Sequence, residues 1–161
     1  MVALTGNKLN GDAFDQFLKS LQSIDELDAT YPSSIERLRK RWGPGHTEFL
    51  PRLWMRLEDS LKADDSEIRF LLMEAILKIE SNPTSAPSIL SGLLGDRDSM
   101  VRKQALNYLS RVGPPAGSFI PLVAGMACNS KAYLLERCSS LRTLVSIGGG
   151  LVPALRALRR R

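Results

Sequence analysis

Apolar residues along this 161-residue chain recur at three- and four-residue spacing, the period of helices, and the β-branched residues follow the same spacing without alternating as strands do. The first stripe, Phe14, Phe17, Leu18, Leu21 and Ile24, follows the turn Asn10-Gly11-Asp12. Tyr31-Pro32-Ser33-Ser34 breaks it, and Ile35, Leu38 and Trp42 form a shorter second stripe that ends at Gly43-Pro44-Gly45. From Thr47, expected to be an N-cap, the pattern becomes regular. Leu50, Leu53, Trp54, Leu57 and Leu61 predict one helix. Asp64-Asp65-Ser66 then caps a second, Glu67 to about Glu80, that turns Ile68, Leu71, Leu72, Ala75, Ile76 and Ile79 inward.

Two further helix pairs follow. Ile89, Leu90, Leu93 and Leu94 predict a first helix, Gly95-Asp96-Arg97-Asp98 a turn, and Met100, Val101, Ala105, Leu106, Leu109 and Val112 the core face of a second helix, stopped by Gly113-Pro114-Pro115. The next pair carries Ile120, Leu122, Val123 and Met126, a turn at Asn129-Ser130, and then Leu134, Leu135, Leu141, Leu144, Val145 and Ile147 before Gly148-Gly149-Gly150. A last helix is expected over Leu151–Arg161.

The pairs are repeats of one another. Pro51, Pro87, Pro121 and Pro153 stand 36, 34 and 32 residues apart, each near a predicted helix start, where the missing N–H would be unpaired in any case. In the second helices Ile68-Arg69, Val101-Arg102 and Glu136-Arg137 align with steps of 33 and 35, and Ile76, Leu109 and Leu144 then coincide, as do Ile79, Val112 and Ile147. A two-helix unit of this length predicts an all-α chain stacked as an α-solenoid.

The second unit, with Leu93-Leu94-Gly95-Asp96, Asp98, Val101-Arg102, Ala105-Leu106, Leu109 and Val112-Gly113, resembles a HEAT repeat, including the PBS-lyase-like variant. The first unit matches in Asp65, Ile68-Arg69 and Ile76 but has Leu72 where Ala105 stands. The third matches in Pro121, Arg137 and Ile147-Gly148, with Glu136 and Asn129 in place of the usual valine and aspartate. The resemblance covers about residues 49–150. It implies a right-handed superhelix of antiparallel helix pairs: an atypical N-terminal helical cap over 1–46, units over about 47–83, 84–117 and 118–150, and a terminal helix over 151–161, all one continuous domain. It also implies that Asp65, Arg69, Asp98, Arg102 and Arg137 are structural, the arginines tying the inter-helix turns by charge-assisted hydrogen bonds.

Charge changes this picture little. Of the net +5, Arg156, Arg159, Arg160 and Arg161 supply four, which leaves +1 for residues 1–155. The other basic cluster is Arg37, Arg39, Lys40 and Arg41, partly offset by Asp25, Glu26 and Asp28. Cys128 and Cys138 are too few for a disulfide framework and read as buried free thiols. Residues 1–10 lack a basic segment followed by an apolar run, and no stretch approaches the roughly 18 apolar residues of a membrane span, so a cytoplasmic chain without membrane contact is expected.

Candidate chemistry is sparse. His46, the single histidine, excludes a multi-histidine metal site and reads as a loop residue. Gly148-Gly149-Gly150 lacks the phosphate-loop lysine, and Glu67 and Glu74 are the only same-face carboxylates on their helix. No catalytic residues, metal or cofactor are therefore expected. Trp42 and Trp54 sit in phase with apolar neighbours and read as core. The inner lining, Glu74, Asn107 and Arg142 or Lys78, Arg111 and Ser146, is mixed in sign.

The expected function is a non-catalytic protein-interaction module or scaffold that binds a protein partner through the second helices, with Phe70, Glu74, Leu77, Lys103, Asn107 and Arg142 as candidate contacts. Phe70 and Leu77 replace Lys103 and Ser110 of the next unit, which implies either burial under the cap or an exposed patch. An alternative is nucleic-acid binding, or a HEAT-like DNA glycosylase, acting through the two basic clusters. A weaker alternative, suggested by the repeat variant alone, is a bilin-lyase-like accessory protein.

Overall fold

The computed structural model describes residues 44–63 and 65–148, with Lys19 and Arg159 as isolated helical positions. The expected cap up to residue 43, its cluster Arg37, Arg39, Lys40 and Arg41, the triglycine beyond Gly148 and the terminal helix with Arg156, Arg160 and Arg161 lie outside the described residues, as does Trp42. Every regular element among the described residues is helical.

Between residues 44 and 148, six α-helices among the described residues run in the order α1 (Leu50–Ser60), α2 (Ser66–Ile79), α3 (Leu90–Leu94), α4 (Ser99–Val112), α5 (Ile120–Cys128) and α6 (Leu134–Ile147). Two 3-10 stretches, Pro44–Phe49 kinked at His46 and Pro114–Phe119 kinked at Ala116, lead into α1 and α5. Thr47 therefore lies inside a 3-10 turn, and the N-cap of α1 is Phe49, which offers no side-chain acceptor. Pro51 and Pro121 occupy the first turn of α1 and α5, as their missing donors allow. Pro87 precedes α3; its carbonyl accepts from Leu90 N at 3.1 Å. The five-residue α3 is short because Pro83 and Pro87 on one side and Gly95 on the other leave few positions for helix.

The aspartates start the longer helices. Asp65 Oδ1 accepts from Ile68 N at 3.0 Å, and Asp98 Oδ1 accepts from Met100 N at 2.6 Å, each satisfying a donor that the first turn leaves open. Helix α4 ends at Gly113, whose φ of 70° and ψ of −142° suit glycine alone. Helix α6 has no side-chain cap at Tyr133; Asn129 instead closes the preceding loop by accepting from Lys131 N at 3.0 Å.

Each longer helix packs on its shorter neighbour, α2 on α1, α4 on α3 and α6 on α5, and the long helices also pack in sequence, α2 on α4 and α4 on α6. The core is continuous through these contacts, from Phe49, Leu53 and Leu57 through Leu72, Ile76, Leu90 and Leu93 to Leu106, Leu109, Val123, Leu144 and Ile147. Burial of apolar surface is its main source of stability, at about 25 cal/mol per Å² removed from water.

Helix α2 buries nine of its 14 residues, among them Phe70 and Leu77 at 4% and 5% exposure. These two belong to the core and present no contact surface, which resolves the alternative in favour of burial. Toward the other end, several apolar positions of the predicted helices are exposed: Met100, Leu122, Leu134, Leu135, Leu141 and Val145. Met100 and Leu135 border the space between α4 and α6, whereas the helical period places Leu134, Leu141 and Val145 together on another face of α6. Cys128 and Cys138 are free thiols as expected, yet both are exposed, Cys128 at the end of α5 and Cys138 on the same outer face of α6 as Leu134 and Leu141.

Gly113→Ala should lower stability by on the order of 1–3 kcal/mol because its backbone lies outside the regions other residues adopt. Gly117→Ala, where an added methyl group meets nothing within 4 Å, should be close to neutral in the same urea titration.

Candidate functional site

The repeated arginines build the main polar structure of the molecule. Arg69 on α2 is 4% exposed and donates four hydrogen bonds. Its Nη1 serves the carbonyls of Ser60 and Ala63, both at 2.9 Å, at the end of α1. Its Nε and Nη2 face the carboxylate of Asp96, in the next inter-helix turn, at 2.5 and 3.3 Å. Asp96 Oδ1 also accepts from Asp98 N at 2.9 Å, so the pair orders the turn that caps α4.

Arg102 on α4 repeats the arrangement one unit later. Nη1 donates to the carbonyls of Asp96 and Arg97 at 2.8 and 2.9 Å, while Nε and Nη2 hold Glu136 of α6 in a two-point pair, both contacts 2.6 Å. The Glu136 hydrogen bond, outweighing the cost of burial, raises the Arg102 pKa further above its usual value. Glu136 stands in the register of Ile68 and Val101, where an apolar residue is the rule, and Asn129 leaves its turn without a carboxylate. The third unit thus supplies its acid from the helix where the second supplies it from the turn. That exchange was not expected from the sequence, although an acid at an apolar register position and an amide in the turn are its two visible signs.

Arg137 on α6, the third equivalent, donates through Nε to the Ala127 carbonyl at 3.2 Å, and it has no carboxylate partner among the described residues. All three arginines therefore bind their own unit's turn, as the resemblance implied, and the first two also bind the following unit.

Further polar contacts join the long helices. Gln104 of α4 donates to Glu74 of α2, Arg111 Nη1 to the Leu77 carbonyl at 2.6 Å, and Thr143 Oγ1 of α6 to the Leu106 carbonyl at 3.1 Å. Ser110 and Ser146 pair at 3.0 Å. Tyr108 donates to Glu80 Oε2 at 2.8 Å and meets the Trp54 ring edge-on at 5.2 Å between centroids, which places Trp54 in the packing as expected. Burial first, then the Glu80 contact, pushes the Tyr108 phenol far above its ordinary 10.0.

The candidate contacts therefore divide. Phe70 and Leu77 are core. Glu74 is half-buried and engaged by Gln104. Lys103, Asn107 and Arg142 are exposed on the long helices. Beside Lys103 a cavity of about 320 Å³ opens between the N-terminal halves of α4 and α6, lined by Met100, Lys103, Leu106, Tyr133, Leu135 and Ser139 among others. The sequence pattern placed Met100 on a core face and Leu135 among the apolar positions of its helix, and did not single out Tyr133. His46 lies in the first 3-10 turn with its ring stacked on Phe49 at 6.0 Å. Arg159 is exposed. No group of three or more histidine, cysteine or acidic side chains gathers as a metal site among the described residues, and no described helix is long and apolar enough to cross a membrane.

Arg69→Leu strands the Asp96 carboxylate in the interior and should lower stability by about 3–5 kcal/mol in urea unfolding. Lys62→Ala, which removes an exposed pair with Asp59 at 3.5 Å, should leave the midpoint nearly unchanged. For Tyr108 the folded-state value is the higher one, so the contribution is complete below about pH 10, the unfolded value, and is lost as the pH rises beyond it. The fall in the urea midpoint above about pH 10 should be shallower in Tyr108→Phe than in the parent chain.

Comparison with protein-family models, with curated proteins and with solved structures returns no match, so a functional reading rests on the residues themselves.

Proposed function

We propose that this chain is a non-catalytic protein-interaction module, a short HEAT-like solenoid whose long helices form a right-handed stack and whose partner binds across them. The repeated register of Arg69, Arg102 and Arg137, with the order of contacts from α2 to α4 to α6, supports the stacked architecture. The observation that carries the binding function is the groove between α4 and α6. Tyr133 and Leu135 stand 79% and 67% exposed at its mouth, with Met100 beside them, and such clustered large apolar groups in contact with water are typical of recognition surfaces. Lys103 and Ser139 supply polar groups at the rim, the composition expected where a partner side chain is buried and oriented.

The nucleic-acid reading draws less support from the long helices. Glu74, Lys103, Asn107 and Arg142 make a surface of mixed sign, whereas phosphate binding by counterion release calls for several cations on one face. Its basic clusters lie outside the described residues apart from Arg159.

A photo-crosslinking residue at Leu135 should capture a specific protein from the source cell, and the same residue at the exposed Glu58 of α1 should not. Combining Met100→Asp with Lys103→Glu should reduce the Leu135 capture at least about tenfold with helical circular dichroism unchanged. Equal capture at Leu135 and Glu58, or capture indifferent to the double change, would reject the groove as the binding surface.

A further inference from the structure

The outer face of α6 repeats a surface that the earlier long helices use for contact. On α4 the residues turned toward α6 are Ser99, Arg102, Lys103, Leu106 and Ser110: Arg102 holds Glu136, the Leu106 carbonyl accepts from Thr143, Ser110 pairs with Ser146, and Ser99 and Lys103 line the shared groove. A step of 35 carries these positions to Leu134, Arg137, Cys138, Leu141 and Val145 on α6. Apart from half-buried Arg137, all of these are exposed, Leu134 to 73%. Leu134, Cys138, Leu141 and Val145 follow one another by four, three and four residues, so they form a single apolar stripe along the helix.

Arg137 sits at the edge of this stripe. Its two equivalents each engage a carboxylate of the following unit with Nε and Nη2, whereas Arg137 has the Ala127 carbonyl and, among the described residues, no carboxylate. The other charges exposed on α6 and its entry loop are Lys131 and Arg142, both cations, and the one carboxylate, Glu136, is committed to Arg102.

From this we infer that the stripe is a second docking site, distinct from the groove, for an acidic amphipathic helix of another polypeptide that lays apolar residues on Leu134, Leu141 and Val145 and sets a carboxylate against Arg137. Residues 149–161 hold no Asp or Glu and four arginines, so their side chains bring no counter-charge to Arg137. A second copy joined about a two-fold axis brings the same two cations, Arg137 and Arg142, to the shared face from both sides, which is like charge on like charge. A two-point carboxylate pair, by contrast, repeats what Arg69 and Arg102 already make. The inference rests on the proposed role as an interaction module and assigns the chemistry of a further partner.

The probe is a synthetic helical peptide with leucines at i, i+4, i+7 and i+11 flanked by glutamates, beside a counterpart with lysines in place of the glutamates. Titrated against the full chain by fluorescence anisotropy, the glutamate peptide should bind at least about tenfold tighter than the lysine peptide. Leu141→Asp with Val145→Asp should abolish binding, and Arg137→Glu should reverse the preference so that the lysine peptide binds tighter. Circular dichroism checks that each variant is folded, and Arg137→Gln serves as the milder variant, expected to bring the two affinities together. Equal affinities for the parent chain, no binding of either peptide, or a preference unmoved by Arg137→Glu overturns the proposal. Loss of binding in Met100→Asp/Lys103→Glu with the stripe variants unaffected also overturns it, and in that case the groove reading stands.

Discussion

A buried guanidinium can be kept in the interior only if nearly all its donors are met, and that requirement shapes this molecule. Arg69 and Arg102 each satisfy it in the same way, two donors on carbonyls of their own inter-helix turn and two on a carboxylate of the next unit. The geometry links one helix pair to the next with a fixed offset, because a planar fork accepts a carboxylate in few orientations. An ion pair of this kind is weak evidence for net stability, since the desolvation of both charges offsets the attraction. Its effect is on arrangement: an alternative packing that parts Arg69 from Asp96 leaves both charges in the interior without an opposite charge.

Apolar burial supplies the stability that the arginines direct. Helix α2 is enclosed on nearly every side, α4 is enclosed on its faces toward α2, α3 and α6, and α6 is covered on one side while its outer stripe meets water. Burial therefore declines along the described chain from α2 to α6. A polar seam accompanies the core: Gln104 to Glu74, Tyr108 to Glu80 and Arg111 to Leu77 join α2 and its C-cap to α4, and the Arg102–Glu136 pair with the hydroxyl contacts of Thr143 and Ser110 joins α4 and α6. Surfaces available for recognition accordingly gather around α6, as the groove beside Tyr133 and Leu135 and as the stripe through Leu141.

Much of this was legible in the residues. Local chemistry marks the helix starts, through Asp65 and Asp98 as caps and Pro51 and Pro121 in first turns, and helical periodicity identified Leu53, Leu57, Ile76, Leu109, Leu144 and Ile147 as core. What escaped depends on contacts between units. Leu134, Leu135, Leu141 and Val145 have core composition, and only the packing of α6 against α4 and α5 shows that one side of it faces water. Phe70 and Leu77 were ambiguous for the converse reason, since their burial depends on what lies around α2. The carboxylate exchange at Glu136 was hidden because a repeat alignment compares each position with its own column, whereas the compensation runs between a turn position in one unit and a helix position in another. The site was less legible than the fold: Lys103 was named, but Met100 beside it read as core, Leu135 only as an apolar helix position, and Tyr133 was not singled out.

The central claim, that arginine-carboxylate pairs fix each helix pair to the next, is tested most directly by a double-mutant cycle at Arg102 and Glu136, read by urea unfolding. Glu136→Val restores the apolar residue its register calls for, and Arg102→Met keeps the aliphatic stem. If the two residues act as one link, each single change destabilises and the double variant is less destabilised than the sum by about 1 kcal/mol or more. Additive effects would contradict the account, because they would show that the two-point contact at 2.6 Å couples nothing between the units.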